Sequence, residues 1–167
     1  MFSVNRGRGA PAPNFLTCLW YEGDRILTGG DNGELFVCHL DTSDNKDGPK
    51  FDVLHREHFK AIFSLCVVNG IVYSNGQDRI VSLYSLNSNR SLYNMPTLNG
   101  FAYCLASNML DPSIVALGVG DGIIRIWKTG SNQLFDVKHI RVNQAKVMCL
   151  AWHPDREGVI GFGTDEG

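Results

Sequence analysis

The stretch "ALGVGDGIIRIW", Ala116 to Trp127, decides the fold, and it admits two readings. Glycines at 118, 120 and 122 after an apolar run suit a phosphate-cradling loop between a strand and a helix. The same residues suit a tight turn between two strands. A dinucleotide loop needs a third glycine in G-x-G-x-x-G, opening a helix whose N-terminus meets the pyrophosphate. Here that position is Ile123, and the run "IIRIWKTG" that follows is β-branched and aromatic. That is strand composition. The segment reads as a hairpin turn.

A repeat explains why the turn is there. Four segments share one apolar pattern around a central Leu: "LTCLWY" from Leu16, "IFSLCV" from Ile62, "AYCLAS" from Ala102 and "VMCLAW" from Val147. Their starts lie 40 to 46 residues apart. A second short run follows each one ("RILTGG", "IVYSNG", "IVALGVG", "VIGFGT") and reaches a turn residue at Asn32, Asp78, Asp121 or Asp165. In three units a third run follows, with Cys38, Tyr84 or Trp127 six residues beyond the turn residue. "KFDVLHRE", "RSLYNM" and "LFDVKHI" are polar enough to be outer strands. A period in this range, with four short strands per unit and no helix, is the mark of an all-β propeller.

Residues 14–167 are thus expected to form the propeller portion, with blades starting near 16, 62, 102 and 147. Residues 1–13 form an N-terminal segment, read as an outer strand or as disordered, and "RGRG" within it receives no role. Three blades are complete and the fourth stops after two strands. A propeller closes with about four to eight blades, so the expectation is a portion of a longer polypeptide. Alone, it should expose blade faces and self-associate.

Composition narrows the function. The chain has 167 residues, about one domain, and a net charge of −2, so nucleic-acid binding must rest on local patches. No apolar run approaches the roughly 18–20 residues of a membrane-spanning helix, and no secretory signal opens the sequence. Cys18, Cys38, Cys66, Cys104 and Cys149 are odd in number and contain no C-x-x-C. They read as buried reduced thiols in a reducing, intracellular compartment, with no metal site.

"GVGDGIIRIW" resembles the end of a WD repeat. The resemblance implies a hydrogen-bonded staple within each blade. His58 lies where the family's Gly-His dipeptide falls, although Glu57 replaces the Gly. Ser74 and Asp78 complete the staple, with Tyr84 in place of the usual Trp, and Asp121, Trp127 and Asp165 hold corresponding places in later blades. The spacing makes these structural residues rather than a Ser-His-Asp triad. His153, Asp155 and Glu157 cluster on a turn without a nucleophile or ligand at a matching spacing. An enzyme is not expected, nor a cofactor or small-molecule substrate.

Propellers bind with the rim around the innermost strands. The pattern puts Phe15, Ala61, Phe101 and Lys146 just before those strands, and Thr17, Phe63, Tyr103 and Met148 two residues on. Exposed aromatic rings bind unstacked bases, and cations such as Lys60 and Arg79 hold phosphates. "MPTLNGFAYCLAS", "VALGVGDGIIRIW" and "KVMCLAWHPDREGVIGFGTDEG" resemble the RNA-recognising WD-repeat subunits of the survival-of-motor-neuron (SMN) complex. That resemblance runs from about Phe15 to Gly167. It implies paired seven-bladed propellers, of which this is part of the first. It also implies recognition of small nuclear RNA through the uridine-rich Sm site and the 7-methylguanosine cap, in cytoplasm and nuclear bodies. Phe101 and Arg79 match family residues, Phe15 stands where the family has Trp, and Lys60 where it has Arg. The alternative is a scaffold propeller that binds peptides or partner domains.

Overall fold

The computed structural model of the chain describes residues 14–40, 50–129, 134–142 and 144–167. The N-terminal segment 1–13 lies outside them. Among the described residues every regular element is a strand. The first blade consists of β1 (Phe15–Glu22), β2 (Arg25–Gly30), β3 (Leu35–His39) and β4 (Lys50–His55). The second has β5 (Ile62–Val68), β6 (Ile71–Gly76), β7 (Ile80–Ser85) and β8 (Arg90–Pro96). The third has β9 (Ala102–Ser107), β10 (Ile114–Val119), β11 (Ile123–Thr129) and β12 (Leu134–Arg141). A two-stranded sheet, β13 (Val147–Trp152) and β14 (Ile160–Thr164), follows. In each sheet every strand pairs antiparallel with the next in sequence. The chain is a WD-repeat β-propeller portion.

Alternation along the strands explains why blades stack. In β6, Val72 points into a core shared with the first blade, alongside Leu27, Leu35 and Ile62. The next residue, Tyr73, points the other way, into a core with Leu105, Leu117 and Trp127 of the third blade. In β10 the same switch sends Leu117 back toward the second blade and Ala116 forward to Val147 of β13. Successive side chains of a strand face opposite sides of the sheet, so a strand apolar at both parities needs a neighbour on each. Each fully buried large apolar side chain contributes about 1.5–3 kcal/mol.

The glycines of the opening stretch have separate duties. Gly122 has φ +74°, the left-handed conformation that closes the turn into β11. Gly118 makes room: a Cβ there would stand 2.4 Å from Cys104 Sγ and 2.7 Å from Val147 Cγ1. It allows β13 to approach β10.

The cysteine expectation is corrected at one position. Cys38, Cys66 and Cys104 are buried, and burial pushes the thiols of Cys66 and Cys104 up to about 12. Cys149, however, is exposed on β13, and the side chain of Cys18 lies outside the described set.

Gly118→Ala should overpack the contact between the third blade and β13. The expected loss is about 1–3 kcal/mol, measurable as a lower urea midpoint at unchanged m-value.

Candidate functional site

Backbone hydrogen bonds set the true register of the rim. The amides of Asp31, Gln77, Gly120 and Asp165 donate to the carbonyls of Asn14, Ala61, Phe101 and Lys146, at 2.8–3.1 Å. Asn14, Ala61, Phe101 and Lys146 are therefore equivalent. Phe15 is one residue further in, the counterpart of Ile62, because Phe15 pairs with Gly30 as Ile62 pairs with Gly76. Its ring stacks on Phe51 at 5.0 Å and meets the edge of Phe36 at 5.4 Å, packing on its own blade while 37% exposed. The sequence-based placement of Phe15 at the rim with Phe101 is thus corrected. Asp165 shifts too: it is the counterpart of Gln77, and Glu166 takes the place of Asp78.

Each innermost strand opens with a β-bulge. The ladder jumps from Phe15 to Thr17, Ile62 to Ser64, Ala102 to Cys104 and Val147 to Cys149. The residue skipped is Leu16, Phe63, Tyr103 or Met148, so these four are equivalent, and Leu16 replaces the expected Thr17. A bulged residue leaves the ladder and its side chain is re-aimed. Phe63 and Tyr103 are re-aimed into each other: their rings stack at 5.8 Å, 6° from parallel. Phe101 meets Tyr103 edge-on at 6.5 Å and 77°. Gly120 forms the floor beneath, where a Cβ would lie 3.0 Å from Tyr103 Cε2.

Arg79 covers the Phe101 ring, its guanidinium carbon 4.8 Å from the centroid. It has φ +62°, in the turn where the other blades use Gly33, Gly122 and Gly167, all at positive φ. A non-glycine residue in this region is strained by about 1–2 kcal/mol. Thr97, fully buried, locks the pair together. Its amide donates to the Arg79 carbonyl at 2.9 Å, and its hydroxyl donates to the Gly100 carbonyl at 2.6 Å. Thr97 was not legible as a site residue; only its position between the turn and "GFAY" hints at it.

Charge is distributed unevenly. Arg25, Lys50, Arg56, Arg125 and Lys146 each pair with a carboxylate. Among the described residues no carboxylate pairs with Lys60 or Arg79, both exposed, nor with Arg90, Lys128, Lys138, Arg141 or Arg156. Lys60 lies beside the Gly33 turn, its carbonyl 2.9 Å from where a Gly33 Cβ would stand.

His58, Ser74 and Asp78 meet as the resemblance implies, but only in the second blade. His58 Nδ1 lies 2.9 and 3.0 Å from the Asp78 oxygens, and Nε2 lies 2.8 Å from Ser74 Oγ. Asp78 also accepts the amides of Phe59 and Ile80 at 3.2 Å. Tyr84 does not extend the network. Its hydroxyl donates instead to Asn89 Oδ1 in the β7–β8 turn. In the third blade, Leu117 stands where Ser74 would be, the Trp127 Nε1 has no hydrogen-bond partner among the described residues, and Asp121 grips the buried Arg125 at 2.7 Å. Asp165 accepts the Lys146 amide and ammonium at 2.7 and 2.9 Å. One expected network is therefore three different ones. Ser74 is 1% exposed, which puts its hydroxyl out of a substrate's reach.

Comparison with known proteins agrees with this geometry. No family model matches the chain. Gem-associated protein 5 of Mus musculus is 38% identical over 155 residues, covering 86% of this chain. Its Homo sapiens counterpart is 37% identical over 119 residues, covering 67%. The chain belongs to the gem-associated protein 5 family. It spans only 8–10% of the length of those relatives. A Dictyostelium discoideum nuclear pore complex protein, nup43, is 24% identical over 55% of the chain and 22% of its own length. Among solved structures, a chain of the mitotic checkpoint complex superposes with TM-score 0.75 at 14% identity. That match covers 91% of this chain and 46% of the other. The designed Ika8 protein gives 0.69 at 19% identity, covering 89% and 42%. These two matches speak to the fold alone.

The second-blade staple of this gem-associated protein 5 relative has a pH signature. Burial raises the Asp78 carboxyl, but the hydrogen bond and charge of His58, with the Ile80 and Phe59 amides, outweigh it. The net pKa falls below the ordinary 3.8. A carboxyl whose pKa falls on folding stabilises the fold above the unfolded value, and that contribution fades as pH drops through the folded value. Asp78→Asn should cost about 1–3 kcal/mol at pH 7. Its deficit should shrink below about pH 4, as urea denaturation at pH 7 and pH 3 will show.

Proposed function

We propose that the chain is part of an RNA-binding module that recognises small nuclear RNA for SMN-complex-dependent assembly of spliceosomal ribonucleoproteins. On this reading it acts by binding, without a catalytic step, cofactor or metal, and works in the cytoplasm and nucleus. The observation that carries it is the second-to-third blade rim. There Phe63, Tyr103 and Phe101 group together under an arginine held in a strained turn. Backbone strain tends to concentrate at functional positions, and no packing need calls for an exposed Arg79.

Its chemistry suits single-stranded RNA. Aromatic faces accept bases of any identity. A guanidinium over a ring extends the stack and binds a phosphate oxygen through paired N–H donors. A uridine-rich strand is weakly self-stacked and opens its bases to such a surface at little cost. Kinship with gem-associated protein 5 and the implied specificity for the Sm site and 7-methylguanosine cap point the same way. Phe101 and Arg79 are the residues on which this assignment stands.

The scaffold reading draws on a different surface. Met109, 80% exposed, and Leu110 lie on the β9–β10 connection, at the end of β9 remote from Phe101. That apolar tip suits a protein partner, and both activities can coexist on opposite ends of one blade.

Two substitutions in the full-length protein separate affinity from stability. Phe101→Ala should weaken binding of a capped Sm-site RNA by about 1–3 kcal/mol, with circular dichroism unchanged. Arg79→Gly should relieve backbone strain and raise stability by about 1 kcal/mol. The same change should weaken RNA binding and reduce its log–log salt slope by about 0.7. Unchanged affinity in both variants, measured by fluorescence anisotropy across a salt series, overturns the RNA reading of the rim and leaves the scaffold reading in front.

A further inference from the structure

Phe59 is the residue that the repeat pattern passes over and the structure singles out. Its ring is 69% exposed, in the connection between β4 and β5. Exposed apolar side chains are common, but this one is held in place on both sides. The preceding residue, His58, is buried and bound to Asp78 and Ser74. The Phe59 amide itself donates to Asp78 Oδ2 at 3.2 Å. Two residues on, the Ala61 carbonyl accepts the Gln77 amide at 2.8 Å. The backbone at Phe59 is thus tied to the same turn that presents Arg79.

The surroundings fix what such a ring can bind. Lys60 is its neighbour in sequence and Arg79 follows the carboxylate that holds it. Neither cation pairs with a carboxylate among the described residues. From Arg79 the surface continues to Phe101, 4.8 Å beneath its guanidinium, and on to Tyr103 and Phe63. An aromatic residue and a cation, Phe59 and Lys60, are thus tied through Asp78 to the turn whose Arg79 covers the Phe101 ring. A single nucleic-acid strand alternates base and phosphate along its length. A hydrophobic peptide groove would not need the two cations, and a lipid surface would not need a rigid tether.

We propose that Phe59 is a further base-stacking position, which takes an unstacked nucleobase of single-stranded RNA while Lys60 holds the adjoining phosphate. This rests on the RNA reading of the Phe101 rim and lengthens the bound strand beyond it, across the Asp78–Arg79 turn. The ring needs no movement to serve, because the His58–Asp78 staple already orders the backbone that carries it. The same staple that holds the second blade together is then also the anchor of a contact with ligand.

The test uses the full-length protein and two fluorescent probes: a capped dinucleotide and a capped twelve-nucleotide oligouridine. Phe59→Ala should bind the dinucleotide as wild type does, and the twelve-mer roughly five- to 150-fold more weakly. Phe59→Trp should restore twelve-mer binding, since it returns a stacking face without altering the backbone tether. Phe101→Ala serves as the internal reference. If Phe101→Ala loses affinity while Phe59→Ala matches wild type on both probes, the Phe59 assignment fails and the RNA reading stands. If both variants match wild type on both probes, the RNA reading fails with it. An equal loss on the dinucleotide and the twelve-mer for Phe59→Ala also overturns the lengthened strand. The ring lies on the surface, so thermal denaturation of Phe59→Ala should superimpose on that of wild type.

Discussion

The two middle sheets of this chain bury both of their faces, and the rest of the architecture follows from that demand. Val72 and Tyr73 are adjacent in β6, yet one packs on the first blade and the other on the third. Neither contact can form unless the neighbouring sheets stand face to face at close range. The innermost strands β1, β5, β9 and β13 are thereby brought side by side. Side chains at their leading ends then share one rim, although they are some 40 residues apart in sequence. Local contacts within a blade and stacking between blades reinforce each other, as in other repeat folds.

The rim shows how solvent-facing side chains are placed on that scaffold without disturbing it. Arg79 takes a left-handed backbone conformation that glycine takes in the other blades. The strain is held by hydrogen bonds to groups that are themselves buried: Thr97 on its carbonyl, and the Asp78 carboxylate on the amide that follows it. A staple of His58, Ser74 and Asp78 lies directly beneath. A stiff foundation thus supports the side chains that meet solvent. The third blade has no such staple, and its Asp121 serves Arg125 instead. There the rim rests on close backbone packing at Gly120 rather than on a polar network.

Much of the fold was legible in the sequence because its signals are local. Strand alternation, the turn residues and the period of about 40–46 residues all survive in a single sequence. Three assignments were wrong by one residue, at Phe15, Thr17 and Asp165. Each depends on which residues pair across the ladder, which a short apolar pattern does not fix to the residue. The staple was legible from His58, Ser74 and Asp78, but the fate of Tyr84 and Trp127 was not. Whether a ring N–H or hydroxyl finds a partner depends on residues such as Asn89, in the β7–β8 turn, and Leu117, on β10. Phe63, Tyr103, Phe101 and Arg79 were legible as candidates, while their assembly into one cluster required coordinates. Phe59 escaped because it lies in a loop, outside every repeated position.

The bulges at the head of each innermost strand carry a consequence for how such a surface can diversify. Leu16, Phe63, Tyr103 and Met148 stand outside the hydrogen-bonded ladder, and the alternation that packs the blades resumes after them. A side chain at one of these positions can change in size or polarity without shifting the parity of the core. In an uninterrupted strand, rim and interior would be coupled through a common register. The four bulges therefore behave as sockets uncoupled from the register of the interior, although Phe63 and Tyr103 fill theirs as one stacked pair. A lineage can exchange an aliphatic plug for an aromatic one, blade by blade, and so retune what the propeller reads while inheriting its interior intact.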